Sequence, residues 1–179
     1  MIRSVKYCYQ NDLIASFYCN DGKIQQRLVG RVERFNDSEI LIAHISSHGY
    51  YDGFILKHIE DVCRIEYGGA YEKRIERLYK LKKQSHKSIE TFNANEDEIL
   101  FSFLDFAKAN DYIICLEFVD NSVSGLLNGY SDDVVYLEVI NDYGNCDGIL
   151  IANIDEIFGV AVDTDDEQDL RLMYFSKEE

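Results

Sequence analysis

The sequence predicts a mainly β protein with some helices, an α+β chain that folds as two small tandem barrels joined by a helical linker. Three observations support this fold class. The chain has 179 residues, more than a minimal domain and fewer than two ordinary domains. Hydrophobic residues make up 46% of it, which allows a substantial core and excludes a disordered chain. The third observation is an internal repeat, because residues 30–79 recur 95 positions later.

Glycines, Asp-Gly pairs and apolar residues carry this repeat. The shift of 95 positions aligns, without a gap, Gly30 with Gly125, Ile45 with Ile140, Gly49 with Gly144, Asp52-Gly53 with Asp147-Gly148, and Ile59 with Ile154. Upstream, Asn11-Asp12 matches Asn110-Asp111 after an insertion of 4 residues. We therefore expect a first barrel with a C-terminal helix in residues 1–84, a linker in residues 85–95, and a second barrel with an N-terminal helix in residues 96–179.

Each copy is predicted to consist of short strands. Runs rich in β-branched and aromatic residues, separated by Asp, Asn and Gly, lie in the second copy at residues 113–119, 123–130, 134–140 and 148–162. Residues 55–67 of the first copy and 150–162 of the second are long for one strand. Each of these two segments therefore predicts a bent strand, as occurs at barrel corners.

Two Asp-Gly pairs are predicted to form tight hairpin turns, Asp52-Gly53 in the first copy and Asp147-Gly148 in the second. Glycine suits such a turn because it accepts the positive φ that the turn requires. Gly30 and Gly125 are assigned to structural turns as well. Recurrence at one offset favours a structural role over a catalytic role for both aspartates.

Three segments are predicted to be helical. Tyr71, Ile75 and Leu78 follow helical spacing within residues 71–81. Residues 164–167 resemble a capping box, which favours a helix after it, although a short strand at residues 170–175 is an alternative. Residues 96–109 carry a broad apolar face and predict an amphipathic helix that leads into the second barrel.

Two short motifs of the first copy resemble those of Sm-like proteins. Gly30-Arg-Val-Glu-Arg-Phe35-Asn36, followed by Ile40-Leu-Ile42, resembles the first Sm motif, and Leu56-Lys57-His58-Ile59 resembles the Tyr-Lys-His-Ala motif of Hfq, the bacterial Sm-like RNA chaperone. The resemblance covers residues 11–67 and, more faintly, 110–162. It implies SH3-type small barrels, self-association through paired edge strands, and RNA binding in which Lys57 and His58 take part.

Several departures from the family pattern bear on RNA binding. Sm-like proteins stack uracil on an aromatic residue between the two motifs, where this chain has Ser38-Glu39. The Asp of the first motif is Asn36, the Tyr of the second motif is Leu56, and the second copy has Ala152-Asn153 in place of Lys-His. Stacking contributes ~1–3 kcal/mol per base. RNA binding would therefore depend on the basic residues of the first copy alone.

Charge is distributed unevenly along the chain. Residues 1–91 carry 15 basic and 12 acidic residues, a balance of 15 − 12 = +3, whereas residues 92–179 carry 3 and 21, a balance of 3 − 21 = −18. Such an acidic half repels phosphate backbones and disfavours nonspecific nucleic-acid binding. The acidic surface either keeps the protein in solution or is shaped for a basic partner.

Enzyme chemistry has no support in the sequence. Nucleophile elbows, phosphate loops and dinucleotide fingerprints are absent, and we predict no catalytic residue, metal or small-molecule cofactor. The five cysteines lack a C-x-x-C pair, and neither a signal-peptide pattern nor an 18-residue apolar run occurs. These features predict a cytoplasmic protein that is not embedded in a membrane. Tyr50 and Tyr51, placed at a predicted hairpin tip, are the candidate surface contacts.

We therefore expect a non-enzymatic cytoplasmic binding or scaffold protein that acts by protein–protein contact or self-association. One alternative is an acidic inhibitor or immunity-type protein that binds a basic partner. A second alternative is weak RNA binding by the first barrel through Lys57 and His58.

Overall fold

The structure of the chain, a computed structural model, describes residues 1–20, 25–87, 89 and 99–176. Ten strands form in this part: β1 (Ala15–Asn20), β2 (Gln25–Phe35), β3 (Glu39–Ile45), β4 (Tyr51–His58), β5 (Val62–Tyr67), β6 (Ile113–Glu117), β7 (Ser122–Tyr130), β8 (Val134–Ile140), β9 (Cys146–Asn153) and β10 (Gly159–Val162). Four α-helices accompany them: α1 (Ile2–Gln10), α2 (Ala70–Leu81), α3 (Ile99–Ala109) and α4 (Asp165–Phe175). Single-turn 3-10 helices follow β4 at Ile59–Asp61 and β9 at Ile154–Glu156.

All ten strands belong to one open antiparallel sheet in the order β5-β1-β2-β3-β4-β10-β6-β7-β8-β9. The chain is a mixed α and β protein, but the predicted pair of separate barrels joined by a helical linker is wrong. The finding that overturns it is the pairing of β10, from the second copy, with β4 of the first copy on one side and with β6 on the other. Four residue pairs join the copies at this junction, from Gly159 opposite Lys57 to Val162 opposite Phe54.

A hydrophobic core shared by both copies accompanies this pairing. Phe54 and Leu56 of β4 belong to the same buried cluster as Phe103 and Phe106 of α3. Ile55, which points to the other face of β4, is buried in a cluster of the first copy. β4 pairs with β3 on one edge and with β10 on the other, so it is an interior strand of a larger sheet with both faces covered. An apolar run in the sequence shows that a strand is buried but not which strand pairs with it.

The repeat seen in the sequence recurs in the element bounds. β3 and β8 are 95 residues apart, as are β4 and β9 and the two 3-10 helices. The strand order β5-β1-β2-β3-β4 of the first copy is followed by β10-β6-β7-β8-β9 in the second. Each strand of the first copy therefore has a positional equivalent in the second. In particular, β9 is the equivalent of β4, and β10 is the equivalent of β5.

The expected bends occur at the 3-10 helices, which divide residues 55–67 and 150–162 into two strands each. The predicted hairpin turns at Asp52-Gly53 and Asp147-Gly148 are wrong. Both pairs lie inside strands, at register shifts opposite residues 43–45 and 138–140. Gly53 and Gly148 do have a positive φ, but this backbone conformation forms a β-bulge within the strand and not a hairpin turn. The hairpin turns themselves contain Gly49 and Gly144, with φ of 73° and 69°.

The helices differ from prediction mainly at the amino terminus. α2 begins one residue before the predicted segment, and residues 165–175 form a helix rather than a strand, with the capping box of Thr164 and Glu167 in place. α1 was not predicted. Residues 96–98 of the predicted helix 96–109 lie outside the described residues. Residues 88 and 90–95 of the predicted linker 85–95 also lie outside them, while Ile89 of this linker is buried in the shared core. No helix of the described residues is long and apolar enough to cross a membrane.

Gly30 and Gly125 were predicted to form turns, but both lie inside strands, β2 and β7. Their role is close approach of two backbones. A Cβ on Gly30 would overlap the carbonyl oxygen of Ala43 in β3, and one on Gly125 would overlap the carbonyl oxygen of Glu138 in β8. Only glycine therefore fits these two equivalent positions without displacing the neighbouring strand.

We expect Gly30→Ala and Gly125→Ala each to lower the free energy of unfolding by about 2–3 kcal/mol, because the added methyl group meets backbone that cannot move aside. Gly129→Ala is the matched control, since the nearest atom to its Cβ is the flexible Lys108 Nζ at 3.9 Å. Urea denaturation measures all three. Equal, small effects in the three variants would show that the close approach does not constrain the sheet.

Candidate functional site

The junction between the two copies contains the predicted site residue Lys57. This side chain of β4 is only 1% exposed, and its ammonium group forms an ion pair with Glu117 of β6. β10 runs between them at Gly159, where a Cβ would lie 3.0 Å from both Cδ and Nζ of Lys57. The missing side chain of Gly159 thus makes room for the lysine to cross β10 and reach Glu117.

His58, the second predicted RNA-binding residue, also faces the second copy. Its Nε2 lies 3.1 Å from the carbonyl oxygen of Ile157, which requires a proton on Nε2. Lys57 and His58 are neighbours on β4, and the structure gives each of them a partner within the chain. In this geometry both residues hold the two copies together.

The two candidate contact tyrosines have different environments. Tyr50 is exposed beside the hairpin turn, and Lys82 Nζ lies 3.4 Å from the centre of its ring. Tyr51 is half-buried, and its hydroxyl donates a 2.5 Å hydrogen bond to Asp163 of the second copy. Burial and this hydrogen bond raise the pKa of Tyr51 above its usual value. Tyr50 alone remains available as a surface contact.

Asp163 is the centre of a polar cluster that also joins the copies. It is buried, has a φ of 59°, and accepts hydrogen bonds from Tyr51 and from Lys87 Nζ at 2.9 Å. Lys87 also donates to the Tyr112 hydroxyl at 2.7 Å. The start of the linker is thereby fixed to the turn between β10 and α4.

A second polar cluster contains histidines that the sequence did not single out as functional. His44 Nδ1 lies 3.0 Å from Asp52 Oδ2, and Asp52 Oδ1 accepts a 3.0 Å hydrogen bond from the Asp165 amide. Burial alone would raise the pKa of Asp52, but the hydrogen bonds from His44 and Asp165 hold it below its usual value. His86 of the linker lies 2.7 Å from the His44 carbonyl oxygen and 2.8 Å from the Tyr79 hydroxyl.

Burial lowers the pKa of His86 to about 4, because it removes the ring from water, although the hydrogen bond to the His44 carbonyl oxygen acts in the opposite direction. Sequence reasoning missed this residue, and also Glu117 and Asp163. His86 lies in a polar segment that reads as a linker. Glu117 and Asp163 are distant in sequence from their partners, so no local pattern marks them.

The two outer edges of the sheet, β5 and β9, form the other candidate interaction surface. Both strands end the strand order, so one side of each has no neighbouring strand among the described residues. On β9, Ile149 and Ile151 are 59% and 63% exposed. On β5, Arg64 and Tyr67 are exposed. Unpaired backbone groups beside exposed apolar side chains favour pairing with a further strand.

Two findings among the described residues concern metal ligands and cysteine thiols. No group of three or more His, Cys, Asp or Glu side chains among them is placed to hold a metal ion. Burial raises the pKa of the Cys8 and Cys115 thiols, to about 11 for Cys115, so neither is a reactive thiolate near neutral pH.

We expect Lys57→Ala to lower the free energy of unfolding by about 3 kcal/mol, because it leaves Glu117 without its buried cation. The double variant Lys57→Met, Glu117→Met removes both charges while keeping volume, and should recover most of this loss. Urea denaturation provides the comparison, with the exposed Lys73→Ala as control. A loss no larger than that of the control would show that the ion pair does not stabilise the junction.

The stability of the protein should depend on the protonation of His86. Its folded-state pKa of about 4 lies below the unfolded value of about 6.5, so the unfolded state binds the proton first. The free energy of unfolding should therefore fall as pH drops from about 6.5 to about 4. His86→Gln, which keeps a donor for the His44 carbonyl, should have a shallower slope in that window. Parallel pH profiles of the two proteins would contradict this role of His86.

Comparison of the chain with known proteins identifies no relative. No family model, curated protein or solved structure matches the chain. The functional conclusion consequently rests on the junction and on the two outer edges.

Proposed function

We propose that this protein is a non-enzymatic, self-associating scaffold of the cytoplasm, in which the β9 edge of one copy pairs with the β5 edge of the next. One observation carries the proposal. The junction inside the chain pairs β4 with β10, and these strands are the positional equivalents of β9 and β5. The chain thus already contains one example of the contact that its two outer edges would make. The cytoplasmic location rests on the cysteine spacing of the sequence.

The internal junction also specifies a register for the proposed contact. Adding 95 to the β4 residues and subtracting 95 from the β10 residues converts each internal pair into an external pair. The resulting partners are Ala152 with Arg64, Ile151 with Ile65, Leu150 with Glu66, and Ile149 with Tyr67. All of these residues lie within β9 and β5.

Side-chain sizes are complementary in this register. At the internal junction the long Lys57 lies opposite Gly159, which has no side chain. At the external junction the small Ala152 would lie opposite the long Arg64. One long and one short side chain therefore meet at this position in both junctions. The long side chain comes from β4 in the internal junction and from β5 in the external one.

Exposed apolar groups would also be covered. Phe54 of β4 packs on Phe106 of α3, with 6.1 Å between the ring centres. The equivalent of Phe54 is the exposed Ile149. The match of Asn11-Asp12 with Asn110-Asp111 sets an offset of 99 residues for the upstream part of the repeat, and this offset makes Tyr7 of α1 the equivalent of Phe106. Tyr7 is 48% exposed. In the proposed assembly, α1 of one copy would cover Ile149 of the next.

Charge favours the same head-to-tail order. β5 belongs to the half of the chain with a balance of 15 − 12 = +3, and β9 to the half with a balance of 3 − 21 = −18. Unlike charges therefore meet when copies join end to end, and like charges meet when identical edges join. A heterologous contact of this kind gives a closed ring if the rotation closes and a filament if it does not.

Extending this register by one residue beyond the four pairs places Asn153 of one copy opposite Cys63 of the next, at the register shift of β5. Facing antiparallel residues have Cα atoms about 4.5–5.5 Å apart, within the range that a disulfide spans. On a Cys146→Ser background, mild oxidation of Asn153→Cys should therefore give a ladder of covalent multimers on a non-reducing gel.

Light scattering of the wild type should show association that weakens as salt is added.

Adding Cys63→Ser to the Asn153→Cys protein provides the control, which should remain monomeric on the gel. A wild-type protein that is strictly monomeric at high concentration, together with no ladder, would contradict self-association. A ladder of equal strength in the control would show that the cysteines pair at random and that the register is incorrect.

A further inference from the structure

A groove lies beside the junction between the two copies, on the side that carries the two 3-10 helices. Its volume is about 560 Å³, and residues of both copies line it, including residues of α3 in the second copy. This volume falls within the range of about 300–1,000 Å³ that is typical of ligand sites. None of the described residues that line it belongs to β5 or β9, so the groove is a surface other than the two strand edges.

Apolar side chains form the floor of this groove. Leu100 and Phe101 of α3 face Ile157, which precedes β10. Leu100 and Phe101 are only partly buried, although both pack against the shared core. A partner with an apolar side chain would therefore bury surface here that the chain itself leaves accessible to water.

Acidic side chains form the rim. Glu60 comes from the first copy, and Asp132 and Asp155 come from the second. All three residues are exposed. The lining includes one lysine, Lys57, whose ammonium group is already engaged with Glu117 across β10. The potential in the groove is thus set by carboxylates from both copies.

We infer that this groove binds a basic segment of another protein, one that alternates Lys or Arg with apolar residues. An apolar side chain would enter the floor between Phe101 and Ile157, and its cationic neighbours would meet the rim carboxylates. Charge complementarity selects this partner over an acidic peptide. It also selects against RNA, because the rim repels phosphates and Lys57 is engaged within the chain.

The test measures fluorescence anisotropy of a labelled peptide of alternating arginine and leucine, added to the full chain at low salt. Asp132→Lys combined with Asp155→Lys should weaken its binding about tenfold, since two ion pairs are lost and each charge reversal adds repulsion. Asp142→Lys combined with Asp169→Lys changes the net charge equally at exposed positions outside the groove. This control should bind as the wild type does.

Circular dichroism establishes that both double variants are folded, which is expected because all four positions are exposed. Equal weakening in the two double variants would overturn the proposal, because the attraction would then come from the net charge of the surface. Absence of peptide binding to the wild type at low salt would overturn it as well. Tighter binding of uridine-rich RNA than of the peptide would also overturn it, in favour of a nucleic-acid site.

Discussion

The antiparallel pairing of β4 with β10 is the constraint on which the rest of this structure depends. It turns two five-stranded copies into one ten-stranded sheet and gives them a common core. Without it, the Phe54 and Leu56 face of β4 would lose the core that it shares with α3, and the buried ammonium of Lys57 would lose Glu117. Gly159 leaves room for this ion pair, because a Cβ there would lie 3.0 Å from Lys57 Nζ and from Glu117 Oε2. One residue without a side chain thus allows a buried charge pair that spans three strands.

The same junction explains why the copies have diverged. The β4 edge is closed inside the chain, so its Lys57 is buried and its Phe54 packs under α3. The equivalent positions on β9 are Ala152, which is partly buried against the shared core, and Ile149, which is 59% exposed. The start of the linker contacts both copies, since His86 binds the His44 carbonyl oxygen of the first and Lys87 binds Asp163 of the second. A duplicated unit has therefore become a single body with two unlike ends.

Local patterns predicted the parts of this fold that depend on local physics. Helical spacing gave α2, the Thr164 capping box gave the start of α4, and the shift of 95 residues aligned β3 with β8 and β4 with β9. Asp52-Gly53 was correctly recognised as needing a positive φ but was placed in a hairpin turn, because a bulge and a turn make the same demand on glycine.

The sequence could not show which strand edges meet, and for this reason the separate barrels were wrong. Lys57 and His58 read as a ligand motif because their partners, Glu117 and Ile157, lie far along the chain. A lysine between apolar residues gives no local sign of whether it is buried beside a carboxylate or exposed to a ligand. Long-range pairing decides between these alternatives, and it is absent from any single-sequence pattern.

Amide hydrogen exchange, followed residue by residue at several protein concentrations, tests the central claim most directly. At concentrations where the protein is monomeric, we expect the amides of β10 to exchange as slowly as those of the interior strand β3, and those of β5 and β9 to exchange faster. As concentration rises, only β5 and β9 should gain protection. If the β10 amides exchange as fast as the outer edges in the monomer, the two copies are not joined through β4 and the account is incorrect.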